Sequence, residues 1–148
     1  NASYRDMLRV FTKAQYFFGK PGEGNRMKLI VNMAFGLNRL VLAETLGVAA
    51  KAGFDLNTVL QVLKSGETYS ACMDTKGPKM IAGNYEPPVA RLAQHAKDVN
   101  LILELAHAVG ARTPVSALHA QLLQELVEAG VGNLDNAAIY KAFEKEKE

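Results

Sequence analysis

The sequence predicts an all-α fold built around one long central helix, and three observations carry that expectation. After Gly24 the apolar residues recur at helical spacing in successive segments, each bounded by Gly, Pro, Asp or Thr where helices start or stop. Only one run, Ala14-Gln15-Tyr16-Phe17-Phe18, has the aromatic density of a strand. The 148 residues are 49% hydrophobic with a single cysteine, enough chain for one core and too few thiols for a disulfide or a cysteine zinc cluster.

Taken in order, Asn1-Ala2 reads as a cloning remnant and Ser3 to Thr12 as a short amphipathic helix with an abrupt start. Ala14 to Phe18 followed by Gly19-Lys20-Pro21-Gly22 reads as one strand and a turn. A strand without a partner is either the edge of a sheet that lies elsewhere or part of a loop. From residue 19 the pattern changes, and 19–148 reads as one helical domain. Asn25 to Ala52 contains no proline and ends at Gly53, the position of a C′ cap. Asp55 caps the next helix, which ends near Ser65-Gly66 and carries Leu56, Val59, Leu60 and Leu63 on one face. Thr68 to Ala82 is expected to split into two short helices at Gly77-Pro78. Val89 to Val109 is long, amphipathic and closed by Gly110, and Thr113-Pro114 opens a helix through Glu128. Asp135 caps a last helix that runs into the charged tail Glu144 to Glu148.

Charge narrows the function. With 17 Lys+Arg against 15 Asp+Glu the net charge is +2, which gives no field for nucleic acid or an anionic membrane surface. The most apolar stretch, Leu29 to Ala50, carries Asn32, Asn38, Arg39 and Glu44, too polar a set for hydrocarbon. No signal-peptide pattern opens the chain, and the lone Cys72 fits a reducing, cytoplasmic setting.

The chemistry concentrates on the long helix. At 100° per residue Lys28, Asn32 and Arg39 share one narrow polar stripe on a helix that is otherwise apolar nearly all round. Either that stripe faces a ligand, or Lys28 snorkels to solvent while Asn32 satisfies a neighbouring backbone group. Upstream, Gly22-Glu23-Gly24 lets the backbone approach something closely where free N–H groups favour an anion. Lys97 and Asp98 lie mid-helix between apolar turns and are either a solvated charge pair or part of a site. His95, His107 and His119 have no carboxylate or cysteine at ligand spacing, so no metal is expected.

Gly-x-Gly-x-x-x-Lys-x-x-x-Asn over residues 22–32 is specific. Together with Ala43-Glu44, Ala52-Gly53-Phe54-Asp55, Lys97-Asp98-Val99, Gly110 to Pro114 and Asn133 to Ala138, it resembles the C-terminal helical domain of the β-hydroxyacid dehydrogenases, which include 3-hydroxyisobutyrate dehydrogenase and the tartronate, glyoxylate and succinic semialdehyde reductases. The resemblance covers residues 19–143 and implies the architecture of the 6-phosphogluconate dehydrogenase C-terminal domain, with residues 1–18 the remnant of an N-terminal Rossmann domain and 14–18 a late strand of it. It implies NAD or NADP as cofactor and a small hydroxyacid substrate, with Lys28 the catalytic acid/base. Asn32 and Asp98 would bind substrate, and Lys97 and Gly24 would approach the cofactor. Pro88-Val89-Ala90 replaces the family's usual Pro-Gly-Phe, which removes an aromatic from the expected pocket wall. Val31 and Phe35 stand where 6-phosphogluconate dehydrogenases carry His and Glu, and retention of Lys28 argues against an imine reductase. A non-catalytic dimerisation module on the same fold is the alternative. Apolar surface around Met33, Leu37 and Leu40 predicts a homodimer or higher homo-oligomer.

Overall fold

Gly22, left-handed at φ 91°, turns the chain into its longest helix, α1 (Glu23–Lys51). The computed structural model describes residues 14–144. Four further α-helices follow, α2 (Leu56–Ser65), α3 (Ala71–Ala82), α4 (Leu92–Ala108) and α5 (Pro114–Glu128), and a 3₁₀ helix (Asn136–Ala142) closes the order. The fold is all-α. The helix expected at Ser3 to Thr12 lies outside the described residues. Among the described residues Ala14 to Phe18 forms no regular secondary structure and no β-ladder, so the expected strand is not seen there.

Helix α1 touches every other element. The fully buried side chains include Leu42 and Leu46 from α1, Met80 from α3, Leu92 from α4, Leu123 from α5 and Ile139 from the 3₁₀ helix. Among the described residues α1 alone matches a membrane span by length and apolarity, but its C-terminal half is the centre of this bundle. Its burial is uneven. From Gly36 to Ala49 every turn buries residues, whereas Glu23 to Phe35 contains no buried position. The expected central helix is therefore central only in its C-terminal half: the bundle ends halfway, and the N-terminal turns overhang it.

Helix α3 also departs from expectation, because it continues through Pro78. Pro78 removes one backbone donor, but Cys72, Met73 and Met80 are buried on both sides of it, and that packing holds the helix together. Gly77 permits the contact, since a Cβ there would lie 2.8 Å from Leu60 on α2. Gly47 plays the same part for the C-terminus: a Cβ would lie 2.7 Å from Phe143 Cβ and 2.9 Å from its carbonyl oxygen. Backbone cannot swing aside as a side chain can. Gly47→Ala is expected to cost about 1–3 kcal/mol by overpacking, read as a lower urea midpoint.

Helix α4 starts at Leu92 and not at Val89 because a long-range pairing claims the residues before it. Leu92 N donates to the Leu134 carbonyl, Ala93 N to Gly132 and Asn136 N to Ala90. Asp135 locks this stitch. Its Oδ1 accepts from Lys76 Nζ at 2.8 Å and from Ala137 N at 2.9 Å, and its Oδ2 accepts from Val89 N at 2.9 Å. Burial works against the Asp135 carboxylate, but these hydrogen bonds outweigh it and hold its pKa below the ordinary value.

Candidate functional site

Lys28 and Leu46 are 18 residues apart, which is five full turns, so they lie on one line of α1. Leu46 is completely buried and Lys28 is exposed. The polar stripe of the long helix is thus the outward continuation of its core-facing line. Asn32, half-buried, stands on the stripe one turn after Lys28, and Phe35 and Arg39 follow. Phe35 is exposed, with the Arg39 guanidinium 5.0 Å from its ring centroid. A lysine and a carboxamide thus stand one turn apart on the same line as an exposed aromatic ring.

The remaining predicted residues are distributed differently. Asp98 is half-buried on α4 and shares a face with Ile102 and Leu105, which line the cleft against α1. Lys97, its neighbour, is exposed and points away from that face. Gly24 lies in the first turn of α1, one turn before Lys28, where a Cβ would meet nothing. Among the described residues no side-chain hydrogen bond or ion pair engages Lys28, Asn32, Lys97 or Asp98. The cleft itself, about 460 Å³, runs between the overhanging turns of α1 and the end of α4, with Phe18 and Met33 in its walls and Arg26 and Arg112 among its lining. Lys28 and Asn32 lie on roughly the opposite side of α1 from it.

For a nicotinamide cofactor the donor set fits one part of the task. Lys28 and Asn32 can exchange a proton with, and hydrogen-bond to, a reacting oxygen. The phosphate-binding strand, glycine turn and helix of a dinucleotide site are not found among the described residues, whose only β-pairing is the isolated bridge between Arg91 and Asp135.

Sequence reasoning missed a second polar cluster. His95 on α4 and His119 on α5 were weighed only as metal ligands and set aside, yet their rings meet 5.1 Å apart against Gly36 of α1. Spacing along the chain could not show it, because the encounter depends on how α4 and α5 pack. Burial, with Arg39 nearby, lowers His95 to about 3 and His119 to about 4. Both imidazoles are neutral when folded. In the unfolded chain they titrate near 6.5, so their contribution is complete above that pH and is lost as pH falls toward 3. Unfolding stability is expected to drop by roughly 2–5 kcal/mol between pH 7.5 and 4.5, measured as urea midpoints. A flat profile would contradict buried neutral imidazoles.

Residues 22–143 match the family described as NAD-binding of NADP-dependent 3-hydroxyisobutyrate dehydrogenase. The chain belongs to this dehydrogenase family. Two curated relatives show its range. Glyoxylate/succinic semialdehyde reductase 2, chloroplastic, of Arabidopsis thaliana is 31% identical over 95% of this chain and 39% of its own length. Cytokine-like nuclear factor N-PAC of Mus musculus is 30% identical over 95% of this chain and 26% of its own length. Among solved structures, a 3-hydroxyisobutyrate dehydrogenase from Salmonella typhimurium superposes with a TM-score of 0.78 at 24% identity, over 82% of this chain and 42% of that one. The dehydrogenase-family chain thus spans less than half the length of each of these relatives. NAD or NADP is the cofactor of its parent family.

Proposed function

We propose that this chain is the C-terminal, proton-transferring domain of an NAD(P)-dependent oxidoreductase that acts on a small β-hydroxyacid or its semialdehyde or keto form. The observation that carries the reading is the exposed Lys28 on a helix line that is core-facing five turns later. An amine and a carboxamide placed where a core-facing line leaves its own bundle are positioned to face a second domain.

When bound, the nicotinamide supplies the hydride acceptor or donor. Lys28 then takes the hydroxyl proton as the alcohol is oxidised and returns it to the carbonyl oxygen in reduction. Asn32 donates a carboxamide N–H to that oxygen and keeps it beside the lysine amine. Phe35 gives the substrate an apolar floor on the same stripe. Asp98 supports the substrate side from α4, while Lys97 and Gly24 approach the cofactor. The setting is cytoplasmic. The test is turnover by the full-length protein on 3-hydroxyisobutyrate, succinic semialdehyde and glyoxylate with either cofactor, and activity with none of them counts against the reading.

A second reading, a non-catalytic dimerisation module, draws on the similarity over the same span to a protein named for nuclear-factor activity. It predicts no turnover and no effect of Lys28→Ala on assembly.

Both readings include self-association, and the structure changes where its surface would lie. Leu40 is buried in the chain's own core and Met33 lines the α4 cleft, so neither is bare. Met27 and Ile30 line that cleft too and Leu37 packs against the core, so the barest line is Ala34, Val41, Glu44 and Val48, on the side of α1 opposite the core. Val41 and Val48 are largely exposed. A two-fold pairing of α1 helices along this seam covers them. Light scattering is expected to give twice the chain mass for the wild type and the chain mass for Val41→Lys; a wild-type monomer at tens of micromolar concentration would refute the seam.

A further inference from the structure

Arg39 is 2% exposed and belongs to no ion pair among the described residues. Asp135, the carboxylate whose field reaches it, is already held by Lys76 and two backbone N–H groups. A neutral imidazole nitrogen of His95 or His119 can accept from the guanidinium, but that leaves its charge in place. Burial lowers the pKa of Arg39, yet a guanidinium starts so high that it stays cationic at neutral pH. What this charge meets is the ring of Phe35, whose centroid is 5.0 Å away and one turn nearer the start of α1.

Phe35 is 39% exposed and stands on the line of Lys28 and Asn32, with Val31, 58% exposed, one turn before it. The wall proposed for the reaction therefore offers an amine and a carboxamide to the reacting oxygen, and an apolar pair to whatever group hangs beside the reacting carbon. With the guanidinium over one face of the ring, a ligand meets the other face or the rim. An aromatic face ordinarily attracts a cation through its quadrupole. Here a cation already occupies that role, and from Lys28 to Arg39 the helix carries no acidic residue to restore the attraction.

We infer that Arg39 determines specificity without touching the substrate: through Phe35 it makes the site refuse a β-hydroxyacid with an ammonium group beside the reacting carbon and accept one with a methyl group there. The inference rests on the proton-transfer role proposed for Lys28 and Asn32. An ammonium on the far face of Phe35 would lie about 9 Å from the guanidinium, the 5.0 Å to the ring plus a contact of about 4 Å, and at an effective dielectric of about 20 the repulsion is worth roughly tenfold in binding. Stripping water from the ammonium against Val31 and Phe35 acts in the same direction. A methyl group meets neither obstacle.

The experiment compares kcat/KM of the full-length protein at neutral pH for three acids that differ only at carbon 2: 3-hydroxyisobutyrate with a methyl, serine with an ammonium and glycerate with a neutral hydroxyl. Wild type is expected to rank serine last. Arg39→Met should raise serine about tenfold relative to 3-hydroxyisobutyrate and leave the glycerate ratio in place, whereas Arg39→Lys, which keeps the charge, should keep the wild-type ranking. A disturbed helix would move all three acids together. Serine preferred by the wild type, an unshifted serine ratio in Arg39→Met, or an equal shift for glycerate would overturn the inference. Arg39→Met removes a buried charge and is expected to fold. If it does not, the wild type's pH profile decides: serine turnover relative to glycerate should climb as the serine amine loses its proton, and a constant ratio overturns the inference. No turnover of any of the three acids is a separate result, which removes the dehydrogenase reading and the inference with it.

Discussion

Lys28→Ala in the full-length protein is expected to lower kcat by about 10²- to 10⁴-fold, the loss typical of a missing general acid/base, while cofactor affinity changes little. The size follows from the chemistry. Hydride transfer leaves a proton on, or demands one at, the substrate oxygen, and Asn32 can orient that oxygen but cannot exchange a proton with it. The selectivity for kcat follows from position, because Lys28 is exposed on α1 and supports nothing in the bundle. Thermal unfolding of the variant should therefore match the wild type, which separates lost chemistry from lost structure. Turnover within a few-fold of wild type would remove Lys28 from the reaction.

The largest expected effect on stability comes from Asp135→Ala. Asp135 is completely buried, and its removal strands the Lys76 ammonium and the N–H groups of Val89 and Ala137. Breaking one side of a buried ion pair typically costs about 3–5 kcal/mol, a large share of the total stability of a domain this size. Denaturant titration should show that loss, and the double variant Asp135→Ala/Lys76→Met should recover part of it by removing the orphaned charge. A double variant as unstable as the two losses added together would show that the pair itself is not what matters.

Helix boundaries were legible where a local signal set them. Asp55 accepts from Thr58 N as an N-cap, Gly53 is left-handed just past the end of α1, and α5 begins at Pro114 and ends at Glu128. They were illegible where a distant residue decided. The start of α4 was misplaced because Ala90 pairs with residue 136, and α3 was split because the packing that carries it through Pro78 comes from other elements. The candidate site shows the same division. Helical register alone joined Lys28, Asn32 and Arg39 on one stripe. Register could not tell that Lys28 is exposed and Arg39 buried, because that depends on where the rest of the bundle ends. His95 and His119, on separate helices, carried no shared signal at all.

The clamp at Asp135 also orders events in time. A ribosome delivers Lys76 long before Asp135, and until Asp135 emerges the helices α1 to α5 hold a lysine at their core without the carboxylate that meets it. Ala137, Ala138 and Ile139, all fully buried, arrive later still. The core of this bundle is therefore complete only once its closing segment, Asp135 to Ile139, has emerged.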